Sequence, residues 1–218
     1  NQSLHFAPGA RAVLSETRNP LFGTNNIPYT IKLSFKVAAS ASEEPIIKYY
    51  DPNANNKDAY GLFIYPNKAI FKYTGGSTEI NYMKGEQTHL AYTICNKQVT
   101  DTNPTGETKT ANILYLMTYL NGILSKMTPI DSATVFPSQC GTIEFNTAGN
   151  DFDLYAFRGY SFAFTSAQML QNYVSGFGDA AKKEEIYLKN NLYSSTISTG
   201  VPGEFEIEFS KVKGKIPC

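Results

Sequence analysis

The chain has 218 residues, 42% of them hydrophobic, which suffices for one sizeable globular core. Its 19 basic and 19 acidic side chains cancel, leaving neither the clustered positive face that nucleic acid requires nor a polybasic segment for an anionic membrane surface. No run of eighteen or so apolar residues occurs, so no helix spanning or inserting into a membrane is expected.

Aromatic usage leans toward β structure. There are 15 Tyr and 14 Phe with no Trp, and Tyr and Phe suit a pleated, half-buried surface. The three cysteines at 95, 140 and 218 match no metal-ligand spacing and read as buried or incidental thiols. A Cys95–Cys140 bridge stays open, because sequence does not place the two sulfurs. The chain starts at Asn1 and stops at Gly-Lys-Ile-Pro-Cys, which reads as a piece of a longer protein.

Residues 4–22 form an irregular opening in which Leu4 and Phe6 alternate, Pro8-Gly9 turns, and 10–14 suggests a short strand. Residues 30–37 are the cleanest strand: Ile31, Leu33, Phe35 and Val37 face one way, with Lys32, Ser34 and Lys36 on an expected wet face. A strand over 45–50 precedes the Asp/Asn-dense loop 51–58. Strands 61–65 and 69–73 pair through Pro66-Asn67-Lys68, and Gly75-Gly76 turns the chain again. In 87–94, Thr88, Leu90, Tyr92 and Ile94 share a face.

Residues 97–110 read as a long polar loop, and 112–120, apolar on both faces, as a central strand. Asn121-Gly122 fits a two-residue hairpin turn with positive φ at both positions, returning through 123–127. Strands over 142–145 and 154–158 follow. Thr165 and Gln168 form a capping box for a helix that places Met169, Leu170 and Tyr173 on one face. Beyond Tyr173 the composition changes. Asp179 caps a mostly polar helix over 180–190, and 204–209 alternates Glu with Phe or Ile. The predicted organisation is a sandwich domain over 1–176, a polar linker helix over 177–193, and a C-terminal extension over 194–218 that begins a further segment.

Four segments in order point to a family. Thr30–Val37, Gly85-Glu86-Gln87-Thr88-His89-Leu90-Ala91, the hairpin Tyr119-Leu120-Asn121-Gly122, and Arg158-Gly159-Tyr160 followed by Ala163 to Met169 and Asn172-Tyr173 resemble the laminin G-like branch of the concanavalin A-like lectin/glucanase superfamily. The likeness covers roughly 1–176. Gln87 stands where that family usually has Trp, and Ala167-Gln168 replaces an acidic pair at the helix start. The style is similar to modules of phage fibres and gut bacterial surface proteins. The resemblance implies an all-β, two-sheet antiparallel jelly roll, with glycan or protein ligands, calcium in some members, and glucanase activity in others.

Hydrolysis is not expected. Retaining glycosidases need two carboxylates about 5–5.5 Å apart, and the one candidate series, Glu204, Glu206 and Glu208, lies beyond the matched stretch and lacks the central Asp. His5 and His89 are the only histidines, and His89 is expected to serve packing or hydrogen bonding between the sheets. A candidate calcium site falls at Asp151, Asp153 and Asn150, and a second polar cluster at Asp51, Asn53, Asn55 and Asp58. Tyr115, Tyr119, Tyr65 and Tyr73 are the candidate ligand-binding aromatics, since a flat ring with a hydroxyl tip suits sugars and protein interfaces. The expected role is a noncatalytic recognition or assembly module of a larger extracellular, cell-surface or virion protein, binding carbohydrate. The alternative is a structural, protein-interaction domain of a fibre. Both readings leave contacts with other domains of the same longer chain.

Overall fold

The computed structural model describes residues 3–16, 28–73, 75–130, 141–160 and 162–176. The expectations for Cys140, Cys218, the helix over 180–190, Glu204, Glu206, Glu208 and the segments 177–193 and 194–218 lie outside them.

Among the described residues two six-stranded sheets form. The first runs β1 (Leu4–Phe6), β12 (Phe152–Tyr160), β3 (Tyr29–Val37), β8 (Gln87–Thr102), β9 (Thr108–Leu120) and β10 (Ile123–Ile130). The second runs β2 (Ala12–Glu16), β11 (Gly141–Phe145), β4 (Ile47–Tyr50), β5 (Gly61–Ile64), β6 (Lys68–Tyr73) and β7 (Gly76–Asn81). The pairings are antiparallel, including β3 with β8, β8 with β9, and β4 with β5. This is the expected two-sheet sandwich.

Alternation along the strands fills the space between the sheets. Ile31, Leu33, Phe35, Leu90, Tyr92, Ile94, Leu114 and Leu116 enter the core from the first sheet. Ile47, Tyr49, Leu62, Ile64, Phe71 and Ile143 enter from the second. Phe71 meets Tyr92 across the gap with ring centroids 5.2 Å apart. Each such side chain stabilises the fold by about 1.5–3 kcal/mol when fully buried.

The outer face of β3 is not wet. Thr30, Lys32 and Ser34 are buried, and only Lys36 of that strand is exposed. The cause is a segment remote in sequence. The Thr30 hydroxyl donates to the Phe162 carbonyl at 2.9 Å and accepts from the Phe164 N–H at 3.1 Å. The Lys32 ammonium lies over the rings of Tyr160 and Phe164, at 5.8 and 5.4 Å from their centroids. Burial first, and the Arg158 charge second, lower the Lys32 pKa to about 8.

His89 is also corrected. Thr88, Leu90 and Tyr92 point into the sandwich, so His89 falls on the opposite face, in register with Ser34. It is buried there, 1% exposed. Two further differences concern strands. The polar stretch expected as a loop over 97–110 is mostly strand: β8 and β9 stay paired out to Thr102 and Thr108. Strand β7, whose only large apolar residue is Ile80, gave no periodic signal of its own and is completed by pairing with β6.

One asparagine ties the loop before β12 to two other segments. Asn146, fully buried with φ +59°, donates from Nδ2 to the carbonyls of Ala10 and Asn150, each at 2.7 Å. Its N–H donates to the Ile46 carbonyl at 2.6 Å. Asn146→Ala should cost about 2–3 kcal/mol, combining a buried and a part-buried carbonyl that lose this donor and a left-handed residue without asparagine's tolerance for it. Asn146→Gly should recover only the conformational part. Thermal melts of both variants test this, and an Asn146→Ala loss below about 1 kcal/mol would show that the hydrogen bonds carry little.

The described residues 121–123 and 165–176 belong to a second compact unit. Its turn has φ +51° at Asn121 and +81° at Gly122, as the hairpin reading requires. Its helix, α1 (Ser166–Gly176), is capped as predicted: the Thr165 N–H donates to Gln168 Oε1 at 2.9 Å, and the Gln168 N–H to Thr165 Oγ1 at 3.2 Å. Met169, Leu170 and Tyr173 are its buried residues. A Cβ at Gly122 would come within 3.0 Å of the Tyr173 Cβ, so glycine serves both the turn and the close approach.

Candidate functional site

The loop between β4 and β5 builds a concave polar surface. Two successive turns shape it. The Asp51 carboxylate accepts the Asn53 N–H at 2.8 Å, and Asn56 Oδ1 accepts the Asp58 N–H at 3.0 Å. Such Asx turns explain why the Asp-Pro-Asn-Ala-Asn-Asn-Lys-Asp run folds back tightly here. They also commit one oxygen of Asp51 and that of Asn56 to backbone donors. The loop encloses a pocket of about 480 Å³ lined by Asp51, Asn53, Ala54, Asn55, Asn56, Ala59 and Tyr60.

Residues of the second sheet support it from below. The Lys72 ammonium donates to the Asp58 carbonyl at 2.9 Å and lies 4.8 Å from the Phe63 ring centroid. The Lys57 ammonium sits 5.7 Å from the Tyr50 ring centroid. The Tyr50 hydroxyl donates to Glu144 at 2.5 Å. Burial first, then the Glu144 carboxylate that accepts this bond, push the Tyr50 phenol up to about 12. Gly61 closes the loop opposite Tyr50, with φ +135°.

Chemically the pocket is an array of amides beside an aromatic ring. Each free amide presents both donor and acceptor, matching the paired hydroxyls of a sugar, and Tyr60 and the two alanines supply apolar surface. The sequence marked Asp51, Asn53, Asn55 and Asp58. It did not single out Asn56 or Lys72. The signal for Tyr60 was present in the Tyr-Gly that ends the polar run, whereas Lys72 reaches the loop only through the β5–β6 pairing.

The four candidate tyrosines are not gathered in one place. Tyr115 and Tyr119 stand on the outer face of β9, opposite Cys95 and Ala91. Tyr115 is half-buried, and Tyr119 has no exposed surface. The Tyr119 hydroxyl approaches Met117 Sδ at 3.9 Å, and Cys95 Sγ approaches the same sulfur at 3.5 Å. Tyr73 packs against the core at the end of β6. Tyr65 is half-buried with the Lys68 ammonium 5.6 Å from its ring centroid. Burial first, then Asp58, Glu44 and Glu79, raise its pKa.

At the candidate calcium residues, Asn150 Oδ1 accepts the Ser42 N–H at 2.9 Å. Asp153 Oδ1 lies 3.1 Å from His5 Nδ1 and accepts from Ser3 Oγ at 3.3 Å, while Asp151 is 3.9 Å from His5 Nε2. Among the described residues no group of three or more His, Cys, Asp or Glu is arranged to hold a metal ion, and no helix is long and apolar enough to cross a membrane.

No protein-family model matches the chain, and no curated protein matches it. Among solved structures it is similar to the receptor binding domain of botulinum neurotoxin D, with TM-score 0.54 and 16% identity over 79% of this chain and 43% of that one. A second structure of the botulinum neurotoxin serotype D binding domain gives TM-score 0.54 and 16% identity, over 79% of this chain and 42% of that one. The serotype D/C VPI 5993 binding domain gives TM-score 0.50 and 14% identity, over 79% and 43%. At this identity the likeness is one of fold. The chain spans less than half the length of the structures it matches.

Proposed function

We propose that this chain is a noncatalytic recognition module that binds carbohydrate in the pocket of the 51–60 loop. The observation that carries the reading is the juxtaposition of Asn53, Asn55 and Asn56 with Tyr60 around one cavity on a rigid sheet. The four-segment resemblance to the laminin G-like branch supports it, as does the likeness to structures that are binding domains by name. The setting that fits is an extracellular, cell-surface or virion protein of which this sandwich is one part.

A glycan array followed by calorimetry tests this. Binding of a neutral glycan is expected. Tyr60→Ala should weaken it about tenfold, and joint Asn53→Ala and Asn55→Ala changes by a similar factor or more, since each hydrogen bond to a neutral partner contributes about 1 kcal/mol. Tyr115→Ala should leave affinity unchanged. If Tyr115→Ala abolishes binding and the loop variants do not, the ligand platform is the outer face of β9 instead. Absence of any glycan ligand, or turnover of one, would defeat the proposal.

The second reading, an assembly domain of a fibre without a glycan ligand, is favoured by one feature: the β8–β9 ribbon that projects from the first sheet.

A further inference from the structure

Among the described residues, strands β8 and β9 stay paired beyond the last pairing of β3 with β8, at Ile94, out to Thr102 and Thr108, and leave β3 behind as a ribbon. From Asn96 to Thr102 and from Thr108 to Asn112 its residues are exposed. At about 3.3 Å per residue the seven residues of Asn96–Thr102 give a ribbon of about 20 Å. A two-stranded ribbon wet on both sides is marginal in water, yet this one has a well-made tip. Asn103 Oδ1 accepts the Thr105 N–H at 3.1 Å, the Thr105 hydroxyl at 2.6 Å and the Glu107 N–H at 2.9 Å, and Asn103 Nδ2 donates to the Glu107 carboxylate at 3.2 Å.

The two faces differ. One is a ladder of amides and hydroxyls: Gln98 opposite Asn112, Thr100 opposite Thr110 and Thr102 opposite Thr108, with each threonine pair hydrogen-bonded at 3.3 Å. The other carries Lys97, Val99 and Asp101 on β8, opposite Ile113, Ala111 and Lys109 on β9. Val99 is 36% exposed. Among the described residues none of Lys97, Asp101 or Lys109 is in an ion pair.

Along β8 this second face reads cation, apolar, anion, and that order is its own complement when reversed. A two-fold axis through Val99, perpendicular to the strand and in the plane of contact, lays β8 antiparallel on β8 of another copy. Val99 then meets Val99, and each Lys97 meets the Asp101 of the other copy. On β9 the same operation sets Ala111 on Ala111 and the aliphatic stem of Lys109 on Ile113, which suits a side chain that buries its stem and keeps its charge in water. We infer that the β8–β9 ribbon is a self-association surface whose partner is a second copy of this chain, matched through Lys97 and Asp101. The six residues of this face fall short of the roughly 20–30 residues a side of a standard interface, so the dimer should form at about tens to hundreds of micromolar. This interface uses none of the sugar-pocket residues.

Charge reversal tests it without disturbing the core. Sedimentation equilibrium of the full chain at about 10–500 µM should show a monomer–dimer equilibrium weakened by salt. Lys97→Asp and Asp101→Lys should each weaken it about tenfold or more, because two attractions become two repulsions. Two outcomes are then decisive. An equimolar mixture of the two single variants should associate again, as a heterodimer. The double variant, Lys97→Asp with Asp101→Lys, should dimerise alone, as the parent does. Circular dichroism melts check that each variant is folded. A parent chain that stays monomeric across that range, or single variants that are weakened but not rescued by mixing, would overturn the inference.

Discussion

Gly61→Ala is expected to lower the thermal midpoint by roughly 6–15 °C, at about 2–4 °C per kcal/mol for a domain of this size. Two costs combine. At φ +135° an L side chain is strained, by about 1–3 kcal/mol. An added Cβ would also come within 3.0 Å of the carbonyl carbon and oxygen of Tyr49, both backbone atoms of the neighbouring strand. That strand cannot move cheaply, because Tyr49 is a core residue and β4 is held on both sides, by β5 and β11. Gly75 is the control. Its φ is +91°, but nothing lies within 4 Å of its added Cβ, so Gly75→Ala should cost only about 1 kcal/mol. Gly61 closes the 51–60 loop, so the same substitution should reduce the proposed sugar binding in whatever fraction stays folded. If Gly61→Ala and Gly75→Ala melt together, the crowding at Tyr49 is not real.

The second large effect is acid sensitivity. Burial first, and the charges of Lys32 and Arg158 next, lower the His89 pKa from its ordinary 6.5 to about 3. An unfolded chain therefore takes up a proton as the pH falls through 6.5, while the folded chain does not until about 3. Between those values the unfolded state binds more protons, so stability falls with falling pH, by up to about 1.4 kcal/mol per pH unit from this group. From pH 7 to pH 5 the loss should be about 2 kcal/mol. His89→Gln cannot titrate and should flatten the profile between about pH 6.5 and 3 even if it is less stable at pH 7. The readout is the slope of unfolding free energy against pH. A variant with the slope of the parent would show that His89 is accessible to protons in the folded chain.

Much of the architecture was legible because its cues are local. Ile31, Leu33, Phe35 and Val37 alternate with period two, and no other arrangement buries all of them on one side. Asn121-Gly122 offers a residue pair that tolerates positive φ, and Thr165 with Gln168 satisfies the first donors of α1 in either context. The 51–58 loop was marked by its Asp and Asn content alone. The ribbon over 97–110 was read as a loop because strand periodicity is detected through apolar residues. Here the alternation is between polar classes, and the pairing is inherited from the buried half of β8.

The chain's own residue order therefore determined the two-sheet class, the hairpin turn, the capped helix and the position of the polar loop. Tertiary structure alone decided that Lys32, Ser34 and His89 are buried, that Lys72 reaches the 51–60 loop, and that Tyr73 and the β5–β6 connection carrying Tyr65 belong to a different sheet from Tyr115 and Tyr119. The physical reason is that periodicity and turn chemistry act over a few residues, whereas coverage of a face depends on a segment such as Tyr160 to Phe164, which reaches Thr30 and Lys32 from more than a hundred residues away.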